Sequence, residues 1–235
     1  MTPINPIAAQ LDANWSRLEE ITSALGTEAG DHSREGRSAY DERTKYAFLL
    51  SDLKHDREIS HQVTLLGMRR APASHQRHHD AEGGLVAHLL QMWDLWLSVR
   101  RVLVDHGPLH PQLSDWNVWR GILNHDLNKV WKYKLVSLEP WTVEYAKEDD
   151  RLGMLLGDVG KVEFFLGKNK IHLSVLLMNA LLTSEGGFSP SPRPHAETVL
   201  AKMLYILDEL SANVVDRLQN GRFWHSLRGG ISEIS

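Results

Sequence analysis

The chain has 235 residues, a formal net charge of −4 and no cysteine. The length suits one domain with elaborations and is enough to bury a full hydrophobic core. The net charge gives no global basic field for nucleic-acid binding. The absence of cysteine excludes disulfides and thiolate metal sites, and no apolar run approaches the roughly 20 residues of a membrane span. We therefore expect a cytoplasmic protein without a secretory signal.

Residues 1–60 are predicted to be mainly helical, because apolar residues recur there at spacings of three and four. Leu11, Trp15 and Leu18 show this spacing most clearly. A later stretch rich in histidine, arginine, alanine and proline has no such period, which predicts a long ordered loop. The predicted bounds are 7–25 for the first helix, 26–37 for a polar loop, 40–56 for a second helix and 69–82 for the ordered loop.

The clearest helix is predicted over residues 84–104. Leu85, Leu89 and the residues that follow at helical spacing form one apolar stripe, and His88 lies on that stripe. His88 is therefore expected to point to the core. A single histidine in such a place is more often satisfied by a core hydrogen bond than used as a ligand.

A further helix is predicted over residues 115–129. Asp115 is a candidate N-cap, since a carboxylate can accept a hydrogen bond from the first free backbone amides. The tail of this helix carries the dipeptide His125-Asp126 directly after an apolar stretch.

The period changes to two over residues 130–147, which predicts a small β-hairpin with its turn at Glu139-Pro140. A short irregular insertion is the alternative interpretation. Three more helices and a glycine- and proline-rich loop complete an all-α architecture. Their predicted bounds are 151–166, 171–183 and 196–218 for the helices, 184–194 for the loop and 221–235 for a loosely ordered tail.

Two histidines and two aspartates form a candidate metal site: His88, His125, Asp126 and Asp208. Each lies on a predicted helix beside apolar residues, where a charge is costly unless it is paired or bound to a metal. Imidazoles and carboxylates suit a divalent cation, here manganese, magnesium, cobalt, nickel, iron or zinc. Such a cation lowers the pKa of water and polarises a phosphoryl oxygen, so the pattern indicates hydrolysis of a phosphorus ester or anhydride.

The order of these residues resembles that of the HD phosphohydrolases, and the surrounding motifs are similar to the HD domain of the YhaM-like 3′-to-5′ exoribonucleases. The similarity runs in register from about residue 71 to about residue 215. The matching stretches are Ala71-Pro72-Ala73, His78-His79, Gly83-Gly84-Leu85 before His88, His125-Asp126-Leu127-Asn128-Lys129, Gly153 to Val159, Leu182 to Gly186, Pro190 to Glu197 and Leu207 to Ala212.

This resemblance implies an HD-domain helical bundle with the hairpin as a small insertion. The implied organisation is a helical N-terminal extension over 1–60 packed on the core, an HD phosphohydrolase domain over 61–220 and a tail over 221–235. The exoribonucleases also carry an N-terminal module of the OB type, whereas residues 1–60 here read as helical, so we expect that module to be absent.

The chain departs from the family where a second metal is held there by histidines. Asp158, Ser184 and Glu185 occupy those positions in this sequence. Either the second site is lost and one ion remains, or Asp158 and Glu185 hold a second ion through carboxylates, which suits magnesium or manganese. We favour one firm site and keep the second as a possibility.

Several residues near the predicted ligands are candidates for catalysis or substrate binding. Asp126 is both a predicted ligand and a predicted catalytic residue, and Lys129 lies one turn beyond His125, where it can contact a phosphate. His78 and His79 precede the Gly-Gly turn and can contact phosphate or donate a proton to the leaving group. The alternatives are a solvated lysine and structural hydrogen bonds in the loop.

A rim of arginines and two tryptophans complete the candidates. Arg77, with Arg69 and Arg70, can attract a substrate phosphate, although a solvated charge cluster is the commoner meaning of such a group. Trp131 and Trp141 can stack a base, and burial within the hairpin is their alternative role.

Three functions follow. The first is a nucleotide phosphohydrolase with a metal-activated water, the second is a 3′-to-5′ exonuclease acting at a nucleic-acid 3′ end, and the third is a non-catalytic nucleotide sensor. The slight negative charge and the expected absence of the OB-type module favour the first, and the complete ligand set disfavours the third. No membrane partner is expected, and a homo-oligomer is possible.

Overall fold

A computed structural model gives the fold. It describes residues 6–28, 68–74, 79–127, 129, 133–139, 142–147, 173–184 and 198–215. The elements are α1 (Pro6–Glu28), α2 (Gly84–His106), a short 3-10 turn (Pro111–Leu113), α3 (Asp115–His125), β1 (Tyr133–Glu139), β2 (Thr142–Lys147), α4 (Val175–Ser184), α5 (Val199–Glu209) and a π-helix (Leu210–Val215). The described part is mainly helical, which agrees with the all-α prediction.

One hydrophobic core gathers side chains from each of the five α-helices in the described part of the chain. Its largest members are tryptophans, and Trp15, Trp96 and Trp119 are at most 1% exposed. The rings of Trp93 on α2 and Trp119 on α3 meet edge to face with centroids 5.2 Å apart, the geometry that aromatic quadrupoles favour. These contacts fix α2 against α3, and both helices carry predicted metal ligands.

Helix α1 packs on this core, as its apolar spacing predicts. Trp15 and Leu18 are buried, and the Nε1 of Trp119 donates to the Thr22 hydroxyl at 3.0 Å. That hydroxyl in turn donates to the carbonyl of Leu18 at 2.8 Å. The predicted helices over 40–56 and 151–166 lie outside the described residues, and the proposed domain bounds stay a prediction.

The start of α3 corrects one expectation. Ser114, not Asp115, is the N-cap, and its hydroxyl accepts from the Asn117 amide. The Asp115 carboxylate instead accepts from Trp96 Nε1 at 2.8 Å and pairs with Arg100 Nε at 3.0 Å. A residue at the first helical position can make such tertiary contacts, which sequence spacing does not show.

Strands β1 and β2 pair antiparallel, with an irregularity in register between Leu135 and Ser137. The strand bounds fall inside the segment in which alternation predicts a hairpin. Their side chains and residues 140–141 lie outside the described part, so the hairpin as an insertion in a helical bundle stays a prediction. Among the described helices, none is long and apolar enough to cross a membrane.

The Gly83-Gly84 turn brings the preceding loop against the start of α2. Gly83 has φ of 77°, a left-handed conformation that favours glycine. A Cβ on Gly84 would lie 1.9 Å from the carbonyl oxygen of His79, so only glycine allows this approach. Both positions of this turn therefore favour glycine, and the turn places His79 beside α2.

Candidate metal centre

His88 lies on the inner face of α2 and is 0% exposed. Its Nδ1 forms a hydrogen bond of 2.9 Å with the Ser211 hydroxyl on the π-helix. Its Nε2 is 3.2 Å from the Oδ1 of Asp208, in the last turn of α5. Burial of this ring in the core agrees with the apolar stripe on which His88 lies.

His125 is the last residue of α3 and is also buried. Its Nδ1 lies 2.7 Å from the carbonyl oxygen of Ile122. Since a carbonyl oxygen only accepts, Nδ1 must carry the hydrogen, and Nε2 of the neutral ring then bears a lone pair. That Nε2 is buried and makes no hydrogen bond to a described residue.

Asp126 ends α3 as its C-cap, with φ of −117° and ψ of 16°. The predicted helix over 115–129 thus ends at His125, which is earlier than expected. Adjacent residues on a continuous helix point about 100° apart, whereas this break lets both side chains of the His125-Asp126 pair reach one place. The Oδ2 of Asp126 is 3.6 Å from His125 Nε2 and 3.8 Å from His88 Nε2.

The Asp126 carboxyl remains an anion at neutral pH. Burial raises the pKa of this carboxyl, and the charge of Asp208 raises it further. Lys129, His125 and His88 together lower the pKa by more, so it lies below its ordinary value. The Nζ of Lys129 is 3.6 Å from the Asp126 Oδ1. A carboxylate at the negative end of a helix is disfavoured by the helix dipole, so this corner attracts a cation.

The geometry of the donor atoms fits a divalent cation. One Nε2 from each of His88 and His125 and one oxygen of Asp208 lie within 4.8 Å of one another. Donor atoms that bind one ion at about 2.0–2.2 Å lie roughly 3.0–3.6 Å apart, and the measured separations between the imidazole nitrogens and the aspartate oxygens are 3.2–3.9 Å. Two nitrogen lone pairs and two carboxylates at such distances require a proton or a metal between them.

The hydrogen bonds behind the rings support the same interpretation. Metal-binding histidines commonly donate their other ring N–H to a carbonyl, a carboxylate or a water molecule, which fixes the tautomer and the orientation of the ring. His125 has this arrangement through Ile122, and His88 has its counterpart through Ser211. Of the predicted ligands, the structure thus brings His88, His125, Asp126 and Asp208 to one place, and their role as ligands remains a prediction.

The other candidates fall into two groups. His79 is near the cluster, with its ring centroid 5.8 Å from that of His88 and its Nε2 3.0 Å from Gln91 Oε1. Lys129 is 18% exposed at the edge of the cluster. The predicted roles of both residues stay predictions. The remaining candidates, His78, Arg77, Asp158, Glu185, Trp131 and Trp141, lie outside the described residues.

The expected arginine rim is partly corrected. The Arg69 side chain is 7% exposed and pairs with Asp12 on α1, and Arg70 pairs with Glu82 within its own loop. Arg69 therefore tethers the loop to α1 instead of standing in solvent. The loop composition alone did not show that α1 passes beside it.

Sequence reasoning missed Ser211 and Gln91. Ser211 is 0% exposed, and its hydroxyl donates to Gln91 Oε1. A signal was present in the spacing, since Gln91 follows His88 by three residues and Ser211 follows Asp208 by three. Residues three apart lie on one helix face, so each shares a face with a predicted ligand.

Comparison with known proteins gives distant relatives. The 3′-5′ exoribonuclease YhaM of Geobacillus sp. is 30% identical over 155 residues, which cover 62% of this chain and 43% of the relative. The YhaM proteins of Bacillus pumilus and Bacillus licheniformis are each 28% identical, covering 74% and 75% of this chain and 54% and 55% of theirs. The chain is similar to the YhaM exoribonucleases. It spans about half the length of the curated relatives it matches.

No family model matches the chain, and no solved structure matches it. The YhaM-like relationship therefore rests on sequence similarity, which agrees with the family resemblance of the motifs.

Proposed function

We propose that the protein is a metal-dependent phosphohydrolase of the HD type that cleaves a phosphoester or phosphoanhydride bond of a nucleotide. The observation that carries this proposal is the cluster of the buried His88 and His125 with Asp126 and Asp208, in which both Nδ1 atoms are held by hydrogen bonds and both Nε2 atoms face carboxylates. In this proposal the cluster belongs to an HD domain over 61–220 with the hairpin as an insertion.

Each residue of the cluster has a defined task. His88, His125, Asp126 and Asp208 would hold the cation, which supplies Lewis acidity toward a phosphoryl oxygen and lowers the pKa of water when bound. Lys129 keeps Asp126 ionised through its charge and stands at the partly exposed edge, where a phosphate oxygen can reach it. His79 and His78 are proposed to contact the phosphate or to donate a proton to the leaving group.

The second candidate is a 3′-to-5′ exonuclease acting on single-stranded RNA or DNA. The relatives named 3′-5′ exoribonuclease favour it. The formal net charge of −4 favours a small nucleotide over a long polyanion, because nucleic-acid affinity depends on neutralising many phosphates. Both candidates place the reaction at the same cluster. We propose a cytoplasmic location.

The decisive experiment is a substrate screen on the metal-loaded protein. We expect hydrolysis of one class of nucleotides with manganese, magnesium, cobalt, nickel, iron or zinc, loss of activity with a chelator and recovery when the ion is restored. Labelled single strands serve as the competing substrate class. Stepwise shortening from the 3′ end without nucleotide turnover would replace the first candidate by the second, and no hydrolysis of either class with any ion would refute both.

A second ion at Asp158 and Glu185 is a separate proposal. If they hold one, Asp158→Ala and Glu185→Ala are expected to reduce the bound metal from two ions to one and to lower turnover sharply, because two ions can clamp the attacking and leaving oxygens. Elemental analysis beside turnover measures both effects. One ion per wild-type chain, with full turnover in both variants, would leave a single-metal site.

A further inference from the structure

We propose that Ser211 and Gln91 are positioning residues that hold His88 in the tautomer a metal ligand needs. The inference rests on the proposed function, since it concerns ion binding by the same cluster. His88 and Ser211 are each 0% exposed, so their hydrogen bond of 2.9 Å does not compete with bulk water. A buried bond of this kind can decide which ring nitrogen carries the hydrogen.

The direction of each hydrogen bond follows from what Gln91 Oε1 can do. A carbonyl oxygen only accepts, and this one is contacted both by the Ser211 hydroxyl and by His79 Nε2 at 3.0 Å. The Ser211 hydroxyl therefore donates its only hydrogen to Gln91 Oε1. Its oxygen is left to accept from Nδ1–H of His88, and the lone pair of His88 then resides on Nε2, facing Asp208 at 3.2 Å.

The two elements that supply the ligands also supply the orienting groups. Helix α2 carries His88 and, one turn later, Gln91. The α5 segment carries Asp208 and, across its transition into the π-helix Leu210–Val215, Ser211. A π-helical turn inside or after an α-helix is uncommon and is frequent at functional sites. The bond from His88 to Ser211 therefore ties both elements to one ring orientation.

The arrangement predicts opposite results for two changes at Gln91. Glutamate has only acceptor oxygens, so Gln91→Glu keeps the acceptor that Ser211 needs, and ion affinity should stay within about threefold of wild type. Leucine accepts nothing, so Gln91→Leu frees the Ser211 hydrogen to point at His88 Nδ1. The His88 hydrogen then moves to Nε2 and blocks the ligand position.

The test measures affinity for Zn²⁺, Mn²⁺ and Co²⁺ by competition with a chromophoric chelator, together with the visible spectrum of the Co²⁺ form. Ser211→Ala and Gln91→Leu should each weaken binding about 10–100-fold, the range measured when the partners behind a ligating histidine are lost, and should change the cobalt spectrum. The double variant should be no weaker than Ser211→Ala alone, because both act on one ring.

Thr22→Ala is the matched control. Thr22, like Ser211, has a buried hydroxyl that accepts from a ring N–H, here that of Trp119. The Thr22 hydroxyl in turn donates to the carbonyl oxygen of Leu18. Thr22→Ala should lower the thermal midpoint, because a buried hydroxyl is lost, while the ion affinity stays within twofold of that of wild type. Melting curves of the metal-free variants separate lost folding from lost binding, and the half-buried Gln91 provides a second route if Ser211→Ala does not fold.

The outcomes separate this inference from the proposed function. Wild-type protein that binds none of the three ions overturns the proposed function and this assignment with it. Wild-type protein that binds an ion, with Ser211→Ala and Gln91→Leu unchanged in affinity and spectrum, overturns only the positioning role. Weak binding by Gln91→Glu also overturns it, since that result would mean that residue 91 donates to Ser211.

Discussion

Replacing His125 by alanine is expected to abolish stoichiometric ion binding and to reduce the metal-dependent phosphohydrolase turnover to background. The substitution removes a buried Nε2 whose lone pair faces the cluster and which no described residue uses for a hydrogen bond. It also leaves the Asp126 carboxylate without its neighbour at 3.6 Å. Elemental analysis of protein purified without chelator, run beside turnover, measures both losses.

The matched control is His106→Ala, which removes an exposed histidine from the C-terminal end of α2. That variant should keep the wild-type metal content and turnover, because it changes the histidine count without touching the cluster. Equal metal content in wild-type protein and His125→Ala would show that the ion, if one is bound, lies elsewhere.

The largest expected effect on stability comes from Trp119→Ala. Trp119 is 0% exposed, packs edge to face on Trp93 and donates to Thr22, so it joins α1, α2 and α3. Truncating a buried tryptophan costs about 3–5 kcal/mol through lost burial and the cavity left behind. Urea denaturation should therefore show a midpoint far below that of wild type.

A pair of phenylalanine variants isolates the hydrogen bond to Thr22. Trp119→Phe loses a buried donor that has a partner, whereas Trp116→Phe loses an Nε1 that makes no hydrogen bond to a described residue. We expect Trp119→Phe to cost about 1 kcal/mol more than Trp116→Phe, the net worth of one buried hydrogen bond. Equal midpoints in the two variants would show that the bond to Thr22 adds nothing to stability.

Helical periodicity predicted most of the described fold. The stripe containing Leu85 and Leu89 located α2, and the spacing of Trp15 and Leu18 located α1, because burial of one face leaves a repeating apolar signal. Helix ends were less predictable. Asp126 leaves the helical conformation where apolar spacing continues the helix to Lys129. Its carboxylate there faces His88 on α2, a contact between distant parts of the chain that the spacing does not show.

The candidate site was predictable at its centre and not around it. His88, His125, Asp126 and Asp208 stand out in the sequence for two reasons. Titratable groups in apolar segments need a partner, and their order resembles the ligand order of the HD phosphohydrolases. Ser211 and Gln91 do not stand out, since a serine and a glutamine on helices are common and only the approach of α5 to α2 gives them a role. The burial of Arg69 was likewise hidden, because Asp12 lies far away in the sequence.

His88 and its hydrogen-bond partner Ser211 are 123 positions apart in the chain. An ion held between α2, the end of α3 and the end of α5 would cross-link His88 to Asp208, which lies three residues before Ser211. Closing so long a loop removes considerable freedom from the unfolded chain. Amide hydrogen exchange at the C-terminal end of α5 should therefore slow when the ion is added, while exchange at exposed parts of α1 stays the same. The supply of the ion would then set the stability of the helical bundle against unfolding, in addition to its activity.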